Sequence, residues 1–283
     1  KVNNLAALSV YSHHSGLPSF AEEEVKGLGK VLRELSALER TNSELQRYLE
    51  AHVALFGNSI ISSTTFKGST SPMFMRMALS CLVDADHTDS ARHCGNSVPE
   101  GEVSLEPARR LAALDNYVAN IPPEKGKEVR NELRRQVYGA CRNAQPAENG
   151  LIACDSPVGT GKTTAIMAHL LNVAAQKGLR LIFVVLPFTN IIDQSVDVYR
   201  NALVLGGVQE RERVVAAHHH KAEFEEEANR AFSFLWNAPV TVTTAVQFFE
   251  TLASNHPATL RKLHQLAGSA IFIDEAHLRN SFH

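Results

Sequence analysis

Two periodicities divide the chain near residue 145. Ahead of that point, apolar positions recur at helical spacing. Residues 22–50 place Val25, Leu28, Val31, Leu32, Leu35, Leu38 and Leu45 at intervals that predict an amphipathic helix. Residues 73–83 carry a second apolar face through Met73, Met77, Leu79, Cys81 and Leu82. Residues 95–102 are polar, hold Gly and Pro, and predict a connector. Residues 105–118 and 125–142 predict two further helices, separated by Pro122 and Pro123. Gln145, Pro146, Asn149 and Gly150 mark a loop.

After Gly150, short apolar runs alternate with amphipathic stretches. Residues 151–154, 181–186, 240–243 and 270–273 predict buried strands, and 214–216 a weaker one. Residues 163–176, 191–203 and 245–254 predict the helices between them. That order implies a parallel sheet with crossover helices. The fold class expected is therefore α + α/β, a mostly helical part followed by a parallel-sheet part. Residues 223–227 form a short acidic run that reads as a solvated helix face.

Composition narrows this picture without redirecting it. A length of 283 residues suggests about two domains. With 44% hydrophobic and 20% charged residues, the chain can bury ordinary cores. Its formal net charge of −2 gives no overall basic excess. Nucleic-acid binding would have to use local patches or backbone dipoles. No apolar run is long enough to span a bilayer, and the first residues carry no apolar signal region. Cys81, Cys94, Cys141 and Cys154 are scattered, with no CxxC pair, which fits a reduced, cytoplasmic chain.

The strongest chemical signal follows the run at 151–154. Asp155 leads into Ser156, Pro157, Val158, Gly159, Thr160, Gly161, Lys162, Thr163 and Thr164, and a helix follows. Glycines let a backbone curl so that its N–H groups point at phosphate oxygens. Lys162 would bring charge to the β- and γ-phosphates of ATP, and Thr163 a hydroxyl to Mg2+. Ser156 stands where the usual pattern has its first Gly.

A second signal closes the last apolar run, where residues 270–273 lead into Asp274, Glu275, Ala276 and His277. Carboxylates at a strand's carboxyl end face the crevice where nucleotides bind in open parallel sheets. Asp274 is placed to hold magnesium, and Glu275 to orient the attacking water. Phosphoryl transfer needs mainly such positioning and charge neutralisation.

Between the two boxes lie Leu186-Pro187-Phe188-Thr189-Asn190 and Val242-Thr243-Thr244-Ala245-Val246-Gln247. Each closes a strand and opens a helix. Either could be a helix cap, or could offer hydroxyl, amide and free N–H groups to nucleic-acid phosphates. Their order along the domain favours the second. His218, His219 and His220 have no partner ligands nearby in sequence and read as structural or surface residues.

Near the start stands Tyr11-Ser12-His13-His14-Ser15-Gly16-Leu17-Pro18, and much later Asp84-Ala85-Asp86-His87-Thr88-Asp89. Adjacent histidines at a helix end and an aspartate on another helix suit a divalent transition metal, and equally suit capping or surface roles.

The succession HHSGLP, LVDADHTDSARH, SPVGTGKTT, LPFTN, VTVTTAVQFFETL and IFIDEAH resembles the CRISPR-associated type I helicase–nucleases. In them an HD-type nuclease domain precedes a superfamily 2 DEAH-type helicase. The resemblance implies a partial HD domain over residues 1–103, a helical linker over 104–148, and a RecA-like first motor lobe over 149–283. It implies that His13, His14 and Asp86 ligate a divalent transition metal (Mn, Co, Ni or Fe), with Asp84 and Asp89 as alternatives to Asp86. It also implies an ATP-dependent motor on single-stranded DNA, a DNA-cutting site, and an RNA-guided CRISPR surveillance complex as partner. The chain has no starting Met and stops shortly after its DEAH box. We therefore expect a piece of a longer protein, whose remaining HD ligands and second motor lobe lie outside it. Such a piece should bind ATP weakly and hydrolyse it poorly. The alternatives are a superfamily 2 helicase with a non-catalytic helical accessory domain, and a phosphate-loop ATPase outside the helicases.

Overall fold

A computed structural model of the chain describes residues 2–18, 35–57, 71–95, 103–206, 208–218 and 236–275. Two compact units emerge. The first comprises Lys1–Val83 with Asn255–Leu260, and the second Asp84–Ser254 with Arg261–His283.

The first unit contains helices α1 (Val2–Ser15) and α2 (Leu35–Phe56) and the opening turns of α3 (Pro72–His93). Met75, Leu79 and Val83 are the buried apolar positions of α3, at spacing i, i+4 and i+8. The helix starting at Leu35 covers the later part of the expected 22–50 stretch; residues 22–34 lie outside the described residues. Helix α1 ends at Gly16, whose N–H reaches the Ser12 carbonyl at 2.8 Å. Gly16 sits at φ +85°, and a Cβ there would stand 2.5 Å from the Asn255 carbonyl oxygen. That oxygen accepts the Leu17 N–H at 3.2 Å. Only glycine combines this left-handed turn with so close an approach.

Helix α3 runs ten residues beyond the expected end at Val83. Nothing between Val83 and His93 is Gly or Pro, so the polar residues 84–93 continue the helix.

The second unit is built on a four-stranded sheet. Its strands are β1 (Leu181–Leu186), β2 (Val215–His218), β3 (Val240–Thr244) and β4 (Ser269–Ile273). Their order is β2-β3-β1-β4, and every pairing is parallel. The helices are α4 (Pro107–Ala119), α5 (Glu128–Asn143), α6 (Lys162–Lys177), α7 (Thr189–Leu203), α8 (Val208–Val214) and α9 (Ala245–Ala253), with the short α10 (Pro257–Leu260) belonging to the first unit.

Central strand β1 is buried at all six positions, as a parallel strand covered on both faces should be. Ile182, Val184 and Leu186 join a core with Leu111 and Leu114 of α4, Met167 and Leu171 of α6, and Ile192 and Val196 of α7. Leu181, Phe183 and Val185 face the other side, against Trp236 and Phe248. The two-residue period of the strand makes this division. Arg110 of α4 is fully buried, yet satisfied. It donates to the carbonyls of Leu105 (2.9 Å) and Leu203 (2.7 Å) and pairs with Glu210 at 3.0 Å. A buried cation needs such a set of partners.

One expected strand is absent. Residues 151–154 have no strand structure, and Leu151 is 78% exposed. The Leu151 N–H is instead taken by the Asn149 side chain at 3.0 Å, a local turn that competes with strand pairing. A four-residue apolar run carries too little periodicity to guarantee a place in a sheet. The acidic run 223–227 and most of the connector at 95–102 lie outside the described residues.

Candidate functional site

Helix α6 and strand β1 are joined by Gly178, Leu179 and Arg180 alone. The helix must therefore turn back against the strand, which sets its first residue, Lys162, toward the carboxyl edge of the sheet. All four strands are parallel, so Asp274 and Glu275 after β4, and Thr244 at the end of β3, belong to that same edge. This is the edge where open parallel sheets bind ligands.

The loop before α6 is built from its own side chains. Gly159 and Gly161 take φ +82° and +78°, reversing the backbone ahead of the helix. Ser156 Oγ lies 2.9 Å from Thr160 Oγ1, and Thr160 donates to the Pro157 carbonyl at 2.8 Å. Thr160 is nearly fully buried, while Val158 at the tip is exposed. Thr164 donates to the Gly161 carbonyl at 3.0 Å. Lys162 is half-buried and makes no hydrogen bond or ion pair with any described residue. A cation and unbonded helix N–H groups thus stand together, an arrangement that could hold an anion.

Tyr199 of α7 ties this loop to the carboxylates. Its phenol donates to the Thr163 carbonyl at 3.4 Å. Burial pushes the phenol's pKa well up, and the nearby Asp274 charge adds to that shift. Asp274 continues the β4 pairing through its N–H, which reaches the Val185 carbonyl at 2.9 Å. Glu275 follows at φ +51°, a left-handed conformation that costs a non-glycine residue about 1–2 kcal/mol. Thr163, Asp274 and Glu275 could hold a divalent cation and a water. Ala276 and His277 lie outside the described residues.

Helix α5 braces the loop from outside. Arg134 Nε donates to the Gly159 carbonyl at 2.9 Å, and its Nη1 lies 2.7 Å from Glu124. Hydrogen bonds from Lys127 and then Arg134 hold the Glu124 carboxyl down at about 2.

These observations agree with a comparison against known families. Residues 139–281, half of the 283-residue chain, match the DEAD/DEAH box helicases. The chain belongs to the DEAD/DEAH box helicase family. Comparison with curated proteins finds no match. As a DEAD/DEAH helicase domain, residues 139–281 use ATP and Mg2+, and nucleic acid is their general class of partner. Its parallel sheet suits the RecA-like lobe expected from the sequence. No helix among the described residues is long and apolar enough to cross a membrane.

The motif residues of this DEAD/DEAH domain separate by environment. Thr244 caps α9, its hydroxyl accepting the Gln247 N–H at 3.2 Å, so this hydroxyl fills the cap role that stood as the alternative to the favoured nucleic-acid contact. Phe188, just before α7, is 57% exposed. His218 is buried and accepts from Trp236 Nε1 at 3.1 Å, a structural role as expected; His219 and His220 lie outside the described residues. Lys262 sits 5.0 Å over the Trp236 ring, and burial lowers it to about 8.

The candidate metal ligands stand as follows. His13 and His14 close α1, with ring centroids 3.9 Å apart. His13 Nδ1 donates to the Val10 carbonyl at 2.5 Å; a carbonyl only accepts, so the proton is on Nδ1 and Nε2 is the open nitrogen. Asp86 is half-buried and Asp89 exposed, both on the part of α3 that belongs to the second unit. Asp84 is committed elsewhere, 2.6 Å from Arg261 and 3.7 Å from His264. Residues two apart on a helix point to different sides, so Asp86 does not share that pairing.

Tyr199 and Arg134 escaped the sequence reading. Tyr199 falls on the apolar stripe of α7 and looks like ordinary core. Arg134 lies among other charges of α5 and looks like a solvated helix residue. Neither carries a local signal, because each acts through a backbone carbonyl remote in sequence.

Proposed function

We propose that this chain is the ATP-binding lobe of a helicase that translocates on single-stranded DNA, joined to part of a metal-dependent DNA nuclease of CRISPR interference. The observation that carries the reading is the meeting of the two boxes at one sheet edge, with Tyr199 between Thr163 and Asp274. The succession of motifs from His13 to His277 supports the narrower assignment.

In this account Lys162 faces the β- and γ-phosphates, and the N–H groups of the loop from Ser156 to Thr164 cradle them. Thr163 and Asp274 are the groups that hold magnesium, which when bound neutralises phosphate charge. Glu275 positions and polarises the attacking water. Its left-handed backbone, at φ +51°, sets where the side chain leaves the main chain.

In the same reading, the resemblance carried by the HHSGLP and DADH segments gives a second site to His13, His14 and Asp86. Two imidazole nitrogens and a carboxylate oxygen suit manganese, cobalt, nickel or iron. Such an ion supplies hydroxide near neutral pH and clamps a phosphodiester. The Val10 carbonyl orients the His13 ring and leaves Nε2 forward. The partners in this reading are single-stranded DNA and an RNA-guided surveillance complex that presents it, in the cytoplasm.

The test is manganese-supported cutting of circular single-stranded DNA by the intact protein. His13→Ala and Asp86→Ala should lose bound metal and cutting while ATP turnover continues. Normal cutting by Asp86→Ala would remove it from the ligand set, and normal cutting by both variants would leave the helical part a binding module.

A further inference from the structure

Beside the phosphate loop lies a feature that nucleotide chemistry does not use. Cys141, in the last turn of α5, has its Sγ 3.9 Å from the Sγ of Cys154. The other two cysteines of the chain, Cys81 and Cys94, are on and just after α3. Cys141 is held firmly by α6. Its carbonyl accepts from His169 Nδ1 at 3.2 Å, and the next carbonyl, of Arg142, accepts from Asn172 at 3.1 Å. Arg142 is anchored in turn to Asp115 at 3.1 Å. Cys154 is different. It is exposed, lies in a stretch without strand structure, and stands two residues before Ser156, where the phosphate loop begins.

We propose that Cys141 and Cys154 form a reversible disulfide under peroxide, and that this bond switches off nucleotide binding by tethering the base of the phosphate loop to α5. A disulfide needs its sulfurs about 2.0 Å apart. The unpaired stretch around Cys154 can supply that movement, whereas the anchored Cys141 cannot. Exposed disulfides of this kind are the labile, regulatory class in reducing compartments.

The chemistry balances with hydrogen peroxide as oxidant. The exposed Cys154 sulfur attacks one peroxide oxygen and the O–O bond breaks. The departing hydroxide takes the thiol proton and leaves as water, with Cys154 oxidised to a sulfenic acid. The Cys141 sulfur then attacks the Cys154 sulfur, and the S–O bond breaks. That oxygen leaves as a second water with the Cys141 proton. Two thiols are oxidised, and one peroxide is reduced to two waters. Burial, and then the neighbouring Cys154, push the Cys141 thiol up to about 11. A thiol held protonated in this way meets peroxide slowly, which leaves the exposed Cys154 as the sulfur oxidised first.

The effect on nucleotide follows from position and rests on the phosphate-loop reading above. Misplacing a binding group by about 1 Å can cost as much as a hundredfold in function. Drawing Cys154 onto α5 displaces backbone that leads directly into Ser156.

The test treats the purified chain with hydrogen peroxide and maps its peptides without reductant. The expected product is one cross-linked pair joining Cys141 to Cys154, with the chain lighter by two hydrogens. Cys154→Ser abolishes it, and a Cys81→Ser/Cys94→Ser double variant retains it. Binding of a fluorescent ATP analogue should weaken by at least about tenfold on oxidation. It should recover with dithiothreitol and stay constant in peroxide-treated Cys154→Ser. Absence of the cross-link overturns the pairing, and equal affinity of oxidised and reduced chains overturns the switch. A reduced chain that binds no nucleotide would sink the phosphate-loop reading instead, with the cross-link still deciding the thiol pairing.

Discussion

Arg134 Nε donates a hydrogen bond to the Gly159 carbonyl 2.9 Å away, so a helix well before the phosphate loop holds that loop at its tip. Glu124 fixes the arginine, and Asn131 fixes Glu124. The Asn131 side chain donates to the Glu124 carbonyl at 2.8 Å and accepts its N–H at 3.2 Å. The loop therefore leans on a relay that begins at the turn after Pro123.

This relay predicts a nucleotide-affinity effect without a folding effect. Arg134→Ala should weaken ATP binding by about tenfold, roughly one charge-assisted hydrogen bond. Because α5 buries no residue of its own, the thermal midpoint should barely move. Glu124→Gln should act in the same direction and more weakly. Unchanged affinity in both variants would detach the relay from the loop.

The same relay has a pH signature. Glu124 is depressed from 4.5 to about 2 by Lys127 and Arg134. A depressed carboxyl contributes its pairing above its unfolded pKa and loses it as pH falls through the folded value. The pairing should thus persist from neutral pH down to about 4.5 and disappear toward 2. Carboxyl-carbon NMR should give a midpoint near 2 for Glu124, moving toward 4.5 in Arg134→Ala.

Lys262 predicts a dependence of the same sense at higher pH. Its folded value of about 8 lies below the ordinary 10.5, through burial, with Glu250 opposing. Between those values the unfolded chain binds the extra proton, so this group makes stability rise with pH above about 8. One proton allows at most about 1.4 kcal/mol per pH unit. Denaturant midpoints at pH 8 and 9.5 should rise for the wild type relative to Lys262→Met. Parallel lines for the two proteins would reject the shift.

Gly16 is the test of the histidine-bearing turn. Gly16→Ala adds a Cβ 2.5 Å from the Asn255 carbonyl oxygen at φ +85°. The left-handed backbone alone costs about 1–2 kcal/mol, and the contact adds to it. The unfolding midpoint of the first unit should fall, and an unchanged midpoint would show that the turn relaxes freely.

Much of the motor lobe was legible because its signals are long or chemically explicit. Residues 181–186 are six apolar positions in a row and became a strand with those same bounds. Lys162 opens α6 as the loop pattern requires. The run at 151–154 misled because four apolar residues look alike whether or not a neighbouring strand accepts them. Residues 84–93 were undervalued because their polar character masked an uninterrupted helix. The Asp84–Arg261 pair was invisible, since its partners are far apart in sequence and neither residue type announces the other. That pair nevertheless bears on the choice among Asp84, Asp86 and Asp89, because it occupies the first of them.

The most direct measurement is calorimetric titration of Mg2+-ATP into the wild-type chain, Lys162→Ala and Glu275→Gln. The wild type and Glu275→Gln should bind with similar affinity, because Glu275 acts on water. Lys162→Ala should lose about ten- to a hundredfold, the range of one charge-assisted contact to phosphate. Equal binding by Lys162→Ala and the wild type would contradict the assignment of the loop around Lys162 as the nucleotide site.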